Sequence, residues 1–165
     1  MTVADYAPPL DRLVTALKFG RELTLARPLG ELLAARWLGC PDPPPVDCLV
    51  PVPLAPRRLA RRGFNQSLEV ARAMATALAA SSRRMPVTTG ALGRLRESPP
   101  QSGLALAQRR TNLQGAFACT TRFDGMAVGI VDDVMTSGST VGEVARVLRA
   151  AGAVTVVAFV VARTP

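Results

Sequence analysis

No histidine occurs anywhere in the 165 residues. That absence excludes a Ser-His-Asp triad, a Cys-His pair, a histidine general base and any histidine-ligated metal. A bound metal would have to rest on oxygen ligands, which favours magnesium held partly by a substrate. Lysine is nearly missing too. Lys18 is the only one, so the net charge of +8 is carried almost entirely by arginine. Aromatics make up 4% of the chain, which leaves Ala, Val, Leu and Ile to build the core. Tyr6, Trp37 and the five phenylalanines are dispersed, whereas single-strand nucleic-acid binding usually uses aromatic stacking platforms. Cys40, Cys48 and Cys119 are isolated and lack CxxC spacing, so they read as buried small hydrophobes in a reducing compartment. The opening MTVADYAPPLDRL has neither a basic n-region nor an apolar h-region. The longest apolar run, residues 154–162, is too short to span a bilayer. The expectation is a cytoplasmic protein without membrane insertion.

What is present fits one compact domain. Hydrophobic residues are 48% of the chain and mean hydropathy is positive, as a folded core requires. Residues 1–45 carry a helical pattern: Leu10, Leu13, Val14 and Leu17, then Leu25, Leu29, Leu32, Leu33 and Leu38, with Gly20 between two helices. The cluster PDPPP closes that segment. Residues 46–52 are β-prone, and Pro51, Pro53 and Pro56 force irregular backbone after them. Leu68, Ala71, Met74, Ala75 and Leu78 fall on one helical face. Residues 86–92 and 116–120 suggest strands, and residues 94–110 a polar, basic loop leading into a short helix. Residues 126–131 form the continuous apolar run of a parallel strand covered on both faces. Val141, Val144, Val147 and Leu148 mark a helix, and residues 153–162 a last strand. Strands alternating with helices predict an α/β fold: an open, mostly parallel sheet flanked by helices. Residues 1–45 would form a helical hood and residues 46–165 the core.

Within this pattern, Asp132 and Asp133 close the buried strand, and Thr136, Ser137, Gly138, Ser139 and Thr140 lead into the next helix. Backbone N–H groups of such a loop, with the positive end of the helix dipole, make a phosphate site. The two acids could accept hydrogen bonds from ribose hydroxyls, laying a sugar phosphate across the strand end. A second reading is structural: Thr140-x-x-Glu143 has the spacing of a capping box, so Thr140 serves the phosphate, the cap or both. There is no Walker A motif and no G-x-G-x-x-G turn. The hexamer RRLARR reads either as an anion site, with Arg58 and Arg62 facing a phosphate, or as a solvated helix start. Lys18, beside Phe19 at a helix end, reads as a surface charge rather than a ligand.

The stretch VGIVDDVMTSGST resembles the 5-phosphoribosyl 1-diphosphate (PRPP) motif of type I phosphoribosyltransferases, TSGST standing near the usual TTGAT. Two further blocks narrow the resemblance to the ComF/GntX branch. LVPVPLAPRRLARRGFNQS is similar to its P-[VI]-P-L-x3-R-x3-R-x-F-N-Q block, with Arg58 and Arg62 in the arginine positions. RLRESPPQSGLALAQRRTNLQGAF is similar to its R-x6-Q-x7-R-x2-N-L-x2-A-F block, matched by Arg94, Gln101, Arg109, Asn112 and Phe117. The four-cysteine zinc ribbon common in that branch is not in this sequence, so zinc is not carried over.

The resemblance implies a phosphoribosyltransferase that moves phosphoribosyl from PRPP to an unidentified acceptor and releases diphosphate. Asp132 and Asp133 would hold the ribose, and residues 136–140 the 5′-phosphate. Pro53, Leu54, Arg58 and Arg62 would bind the diphosphate. Arg94, Gln101 and Arg109 would belong to a flexible loop over the site. Mg²⁺ would be substrate-bound, with no direct protein ligand. Competing readings are a competence-associated protein that binds single-stranded DNA, and a regulator that senses PRPP without turnover. An oligomer is compatible with all three.

Overall fold

The computed structural model describes residues 1–95 and 114–164. Its centre is a four-stranded sheet in the order β1-β6-β5-β2, every pair parallel. The strands are β1 (Thr2–Asp5), β2 (Cys48–Pro51), β5 (Ala127–Met135) and β6 (Thr155–Arg163). A separate antiparallel pair joins β3 (Leu92–Arg94) to β4 (Phe117–Cys119). The helices are α1 (Leu10–Phe19), α2 (Ala26–Leu38), α3 (Pro56–Arg62), α4 (Gln66–Ala80) and α5 (Ser139–Ala150). The predicted class, an open parallel α/β sheet flanked by helices, is what the chain forms.

Each face of the sheet has its own core, because successive side chains on a strand point to opposite sides. Leu49, Val131, Phe159 and Val161 pack against α1, α2 and α4. Cys48, Val50, Val128 and Ile130 pack against α5 and the β3–β4 pair. Covered on both sides, β5 needs an unbroken apolar run, and residues 127–131 supply it. Despite the scarcity of aromatics, Phe123 and Phe159 are the largest fully buried side chains.

Several expectations shift. Leu32 and Leu38 are exposed, since α2 buries Leu29, Gly30, Leu33, Ala34 and Trp37 instead. Residues 86–92 do not form a strand: Val87 makes an isolated bridge to Leu49, and the strand begins at Leu92. Only Cys48 of the three cysteines is buried. β1, at one edge of the described sheet, is only four residues long, too short for a periodic pattern to announce it.

The tight contact between α2 and α4 sets the position of α4, whose start reaches the carboxyl end of β2. A Cβ on Gly30 would lie 2.6 Å from the Met74 nitrogen and 2.7 Å from the Val70 oxygen. Those are backbone atoms and cannot turn aside. Gly30→Ala is therefore expected to cost about 1–3 kcal/mol by forcing α2 and α4 apart. The check is a lower urea midpoint at unchanged m-value.

Candidate functional site

The topology fixes where a ligand can sit. The chain leaving β2 runs into α3 and α4 on one face, while the chain leaving β5 runs into α5 on the other. Adjacent parallel strands whose connections diverge leave a crevice at their carboxyl ends, the usual ligand position in open α/β sheets. β2 stops opposite Val131, so Asp132 and Asp133 continue past it with that flank open. The strand persists to Met135, held by β6, and the acids sit within it rather than beyond its end.

A cavity of about 240 Å³ fills this crevice. Asp132, Asp133 and Thr140 line it from β5 and α5, and Val52, Pro53, Leu54, Arg58 and Arg62 from the segment after β2. Gln66 and Ser67 enter from the start of α4, Lys18 and Phe19 from the end of α1, and Arg94 from β3. Asn65 builds the corner: it caps α4 by accepting from the Ser67 N–H at 3.1 Å and donates to the Val52 carbonyl at 3.0 Å. That double bond ties the helix start to the strand end.

Both acids are buried. The Asp132 Oδ1 accepts from the Ser67 hydroxyl at 3.0 Å and from the Asp133 N–H at 2.9 Å. Burial first, and repulsion from Asp133 second, push the Asp132 carboxyl up to about 7. Asp133 accepts from the Val134 N–H through Oδ1. Its Oδ2 is fully enclosed, lies 3.0 Å from the Lys18 ammonium, and receives no aligned hydrogen bond. The contact is thus a charge pair whose geometry leaves hydrogen-bonding capacity unused. Lys18 is no surface charge: its side chain is only 20% exposed, because α1 ends directly over Asp133. Sequence reasoning missed it because the pairing joins residues far apart in the chain. It missed Ser67 too, although the GFNQS block already contained it.

The loop at residues 136–140 does not form the capping box. Gly138 caps α5 in the left-handed conformation (φ 70°), with no side-chain cap bond. Thr140 therefore stands inside the first turn. Glu143 turns away to the Gly115 N–H at 2.8 Å and to Arg146, which holds its carboxyl below the usual range. The helix start is left without a side-chain cap. Thr140 lines the cavity, whereas Thr136, Ser137, Gly138 and Ser139 are not among its lining residues; the Ser137 and Ser139 hydroxyls lie 2.8 Å apart.

Arg58 and Arg62, one turn apart on α3, both border the cavity. The Arg62 guanidinium bonds Gln66 and lies over the Phe19 ring, 5.4 Å from its centre. Arg94 lies over Phe117 at 5.2 Å. Gln101 and Arg109 fall outside the described residues. No cluster of three or more acidic or cysteine side chains able to hold a metal occurs among the described residues. Nor, among them, is any helix long and apolar enough to cross a membrane.

Among curated proteins, the DNA utilization protein YhgH of Salmonella typhi is 39% identical over 170 residues, spanning 99% of this chain and 71% of that one. The chain belongs to the YhgH/ComF family. Competence protein F of Haemophilus influenzae is 30% identical over 159 residues, covering 91% of this chain and 66% of its own. No family model matches. A glutamine PRPP amidotransferase from B. subtilis, solved with ADP and GMP, superposes on 81% of this chain and 25% of its own, at 23% identity and a TM-score of 0.49. Membership in the family rests on the sequence relatives alone.

Proposed function

We propose that the chain binds PRPP across the β2–β5 crevice and transfers its phosphoribosyl group to an acceptor, releasing diphosphate. The observation that carries this reading is that one cavity is bordered by both acids, Thr140, Pro53, Leu54, Arg58 and Arg62. Asp132 and Asp133 accept the ribose 2′- and 3′-hydroxyls, and the enclosed Asp133 Oδ2 has room in its bonding for such a donor. The α5 start and residues 136–140 take the 5′-phosphate. Arg58 and Arg62 neutralise the diphosphate as its bond to C1 loosens and positive charge grows on the ribose. The acceptor then attacks C1, and the protein contributes position and electrostatic stabilisation rather than a covalent step. Magnesium, carried by the diphosphate oxygens, would neutralise the leaving group.

Calorimetric titration with magnesium PRPP tests the reading. Wild type is expected to bind and Asp132→Ala/Asp133→Ala to lose measurable binding. Equal affinity in the two proteins would remove the acids from the site. Diphosphate release across an acceptor panel then separates a transferase from a PRPP sensor, which binds without turnover.

The names of the relatives and the net charge of +8 favour one second reading, direct binding of single-stranded DNA. Against it, Phe19 is the one exposed aromatic among the described residues, and a lone ring is no stacking platform. DNA affinity that falls steeply with salt and ignores PRPP would establish this alternative.

A further inference from the structure

The cations around the cavity are not equivalent. Arg58, Arg62 and Arg94 border it on the side of α3 and β3, and two of them lie over aromatic rings. Lys18 pairs directly with Asp133 from the last turn of α1, where the helix dipole favours a cation, while Arg62 also feels the Asp133 charge. In a chain with one lysine, that lysine meets a carboxylate whose side chain is only 5% exposed. A buried charge left unpaired is costly, and a pair of adjacent acids at a sugar site commonly invites a divalent cation. Here an ammonium already occupies that electrostatic role.

An ammonium also suits the task better than a guanidinium. It is a compact point charge with three donors on a flexible stem, so it can hold Asp133 and still donate to a ligand oxygen. The Asp133 Oδ2 lacks an aligned donor despite the 3.0 Å approach, which leaves that oxygen able to accept a hydroxyl beside the ammonium.

We propose that Lys18 is the resident counter-cation of the acid pair, so that a pentose 5-phosphate binds the crevice without a divalent metal. Magnesium then belongs to the diphosphate half of PRPP and not to the acids. The ligand named here rests on the PRPP-binding reading; the Lys18–Asp133 pairing does not.

Two measurements on the intact protein keep those apart. The first needs no ligand. Because Lys18 is the only lysine, brief acylation followed by mass spectrometry reports its ammonium, with the N-terminal amine as internal reference. Asp133→Asn, checked for folding by circular dichroism, should raise the Lys18 acylation rate about fivefold by freeing the pair. An unchanged rate overturns the counter-cation role. The second is calorimetry with ribose 5-phosphate, in EDTA and in millimolar MgCl₂. Wild type should bind equally in both buffers, within about twofold, and Lys18→Gln should bind about tenfold more weakly in EDTA, with magnesium restoring part of the loss. Wild-type binding that collapses in EDTA, or Lys18→Gln binding like wild type, overturns the proposal. If wild type binds no ribose 5-phosphate in either buffer, the PRPP reading and the metal-free ligand claim both fall, while the acylation ratio still decides the pairing.

Discussion

At neutral pH, Asp132→Asn is expected to be more stable than wild type by on the order of a few kcal/mol, read as a higher urea midpoint. Asp132 is the sixth of the nine residues of β5, buried and next to Asp133, and its carboxyl is raised to about 7 by burial and by that neighbour. The Asp133 N–H, the Ser67 hydroxyl and the Lys18 charge pull the other way without reversing it. The sign follows directly. Between the ordinary carboxyl range and about 7, the folded chain keeps a proton that the unfolded chain has released. Native protein then binds more protons, so stability falls as pH rises through that window and levels off above it. Wild type should show a lower urea midpoint at pH 8 than at pH 5 from this group. The asparagine has no proton to lose and can still accept from Ser67, so its own decline should be much smaller. Identical pH slopes for the two proteins would mean that Asp132 is ionised normally in the fold.

That instability bears on function. A buried carboxylate that costs stability at working pH persists where its charge is used, and here the use is the proposed grip on ribose hydroxyls. Asp132→Asn should accordingly trade tighter folding for weaker PRPP binding.

The parts of this site that could be read from the sequence are those whose cause is local. The run at residues 126–131 announces a strand buried on both faces because each residue there must be apolar. Gly138 announces a turn because its positive φ is open to glycine and costly to other residues. The open sheet follows from strands and helices in alternation. What stayed hidden depends on partners far along the chain. β1 and β3 are too short for periodicity to show, and each exists because a neighbouring strand is there to pair with it. Thr140 and Glu143 have capping-box spacing, yet the left-handed Gly138 moves the helix start two residues earlier and frees Glu143 for Gly115. Lys18 meets Asp133 only because α1 folds across the sheet end. The solitary lysine in an arginine-rich chain was the one available hint.

The proposed diphosphate half of the crevice yields the second large effect. Arg58→Ala/Arg62→Ala should weaken magnesium PRPP binding about a hundredfold, since two charge-assisted contacts to one anion are lost. Ribose 5-phosphate, which has no diphosphate, should bind the same variant within about threefold of wild type. The control is Arg57→Ala/Arg61→Ala, which removes equal charge from the same helix but from residues that do not line the cavity. A general attraction between a +8 protein and an anion would make the two double variants equally defective at low salt, and salt would erase both defects. A site would leave the Arg57/Arg61 variant nearly intact and keep the Arg58/Arg62 defect as salt rises. Because Arg62 also bonds Gln66 and lies over Phe19, its loss loosens the α1 end as well, so urea midpoints must accompany the titrations. If both ligands weaken together in the Arg58/Arg62 variant while the fold holds, the arginines serve the whole crevice and the division into ribose and diphosphate halves is wrong.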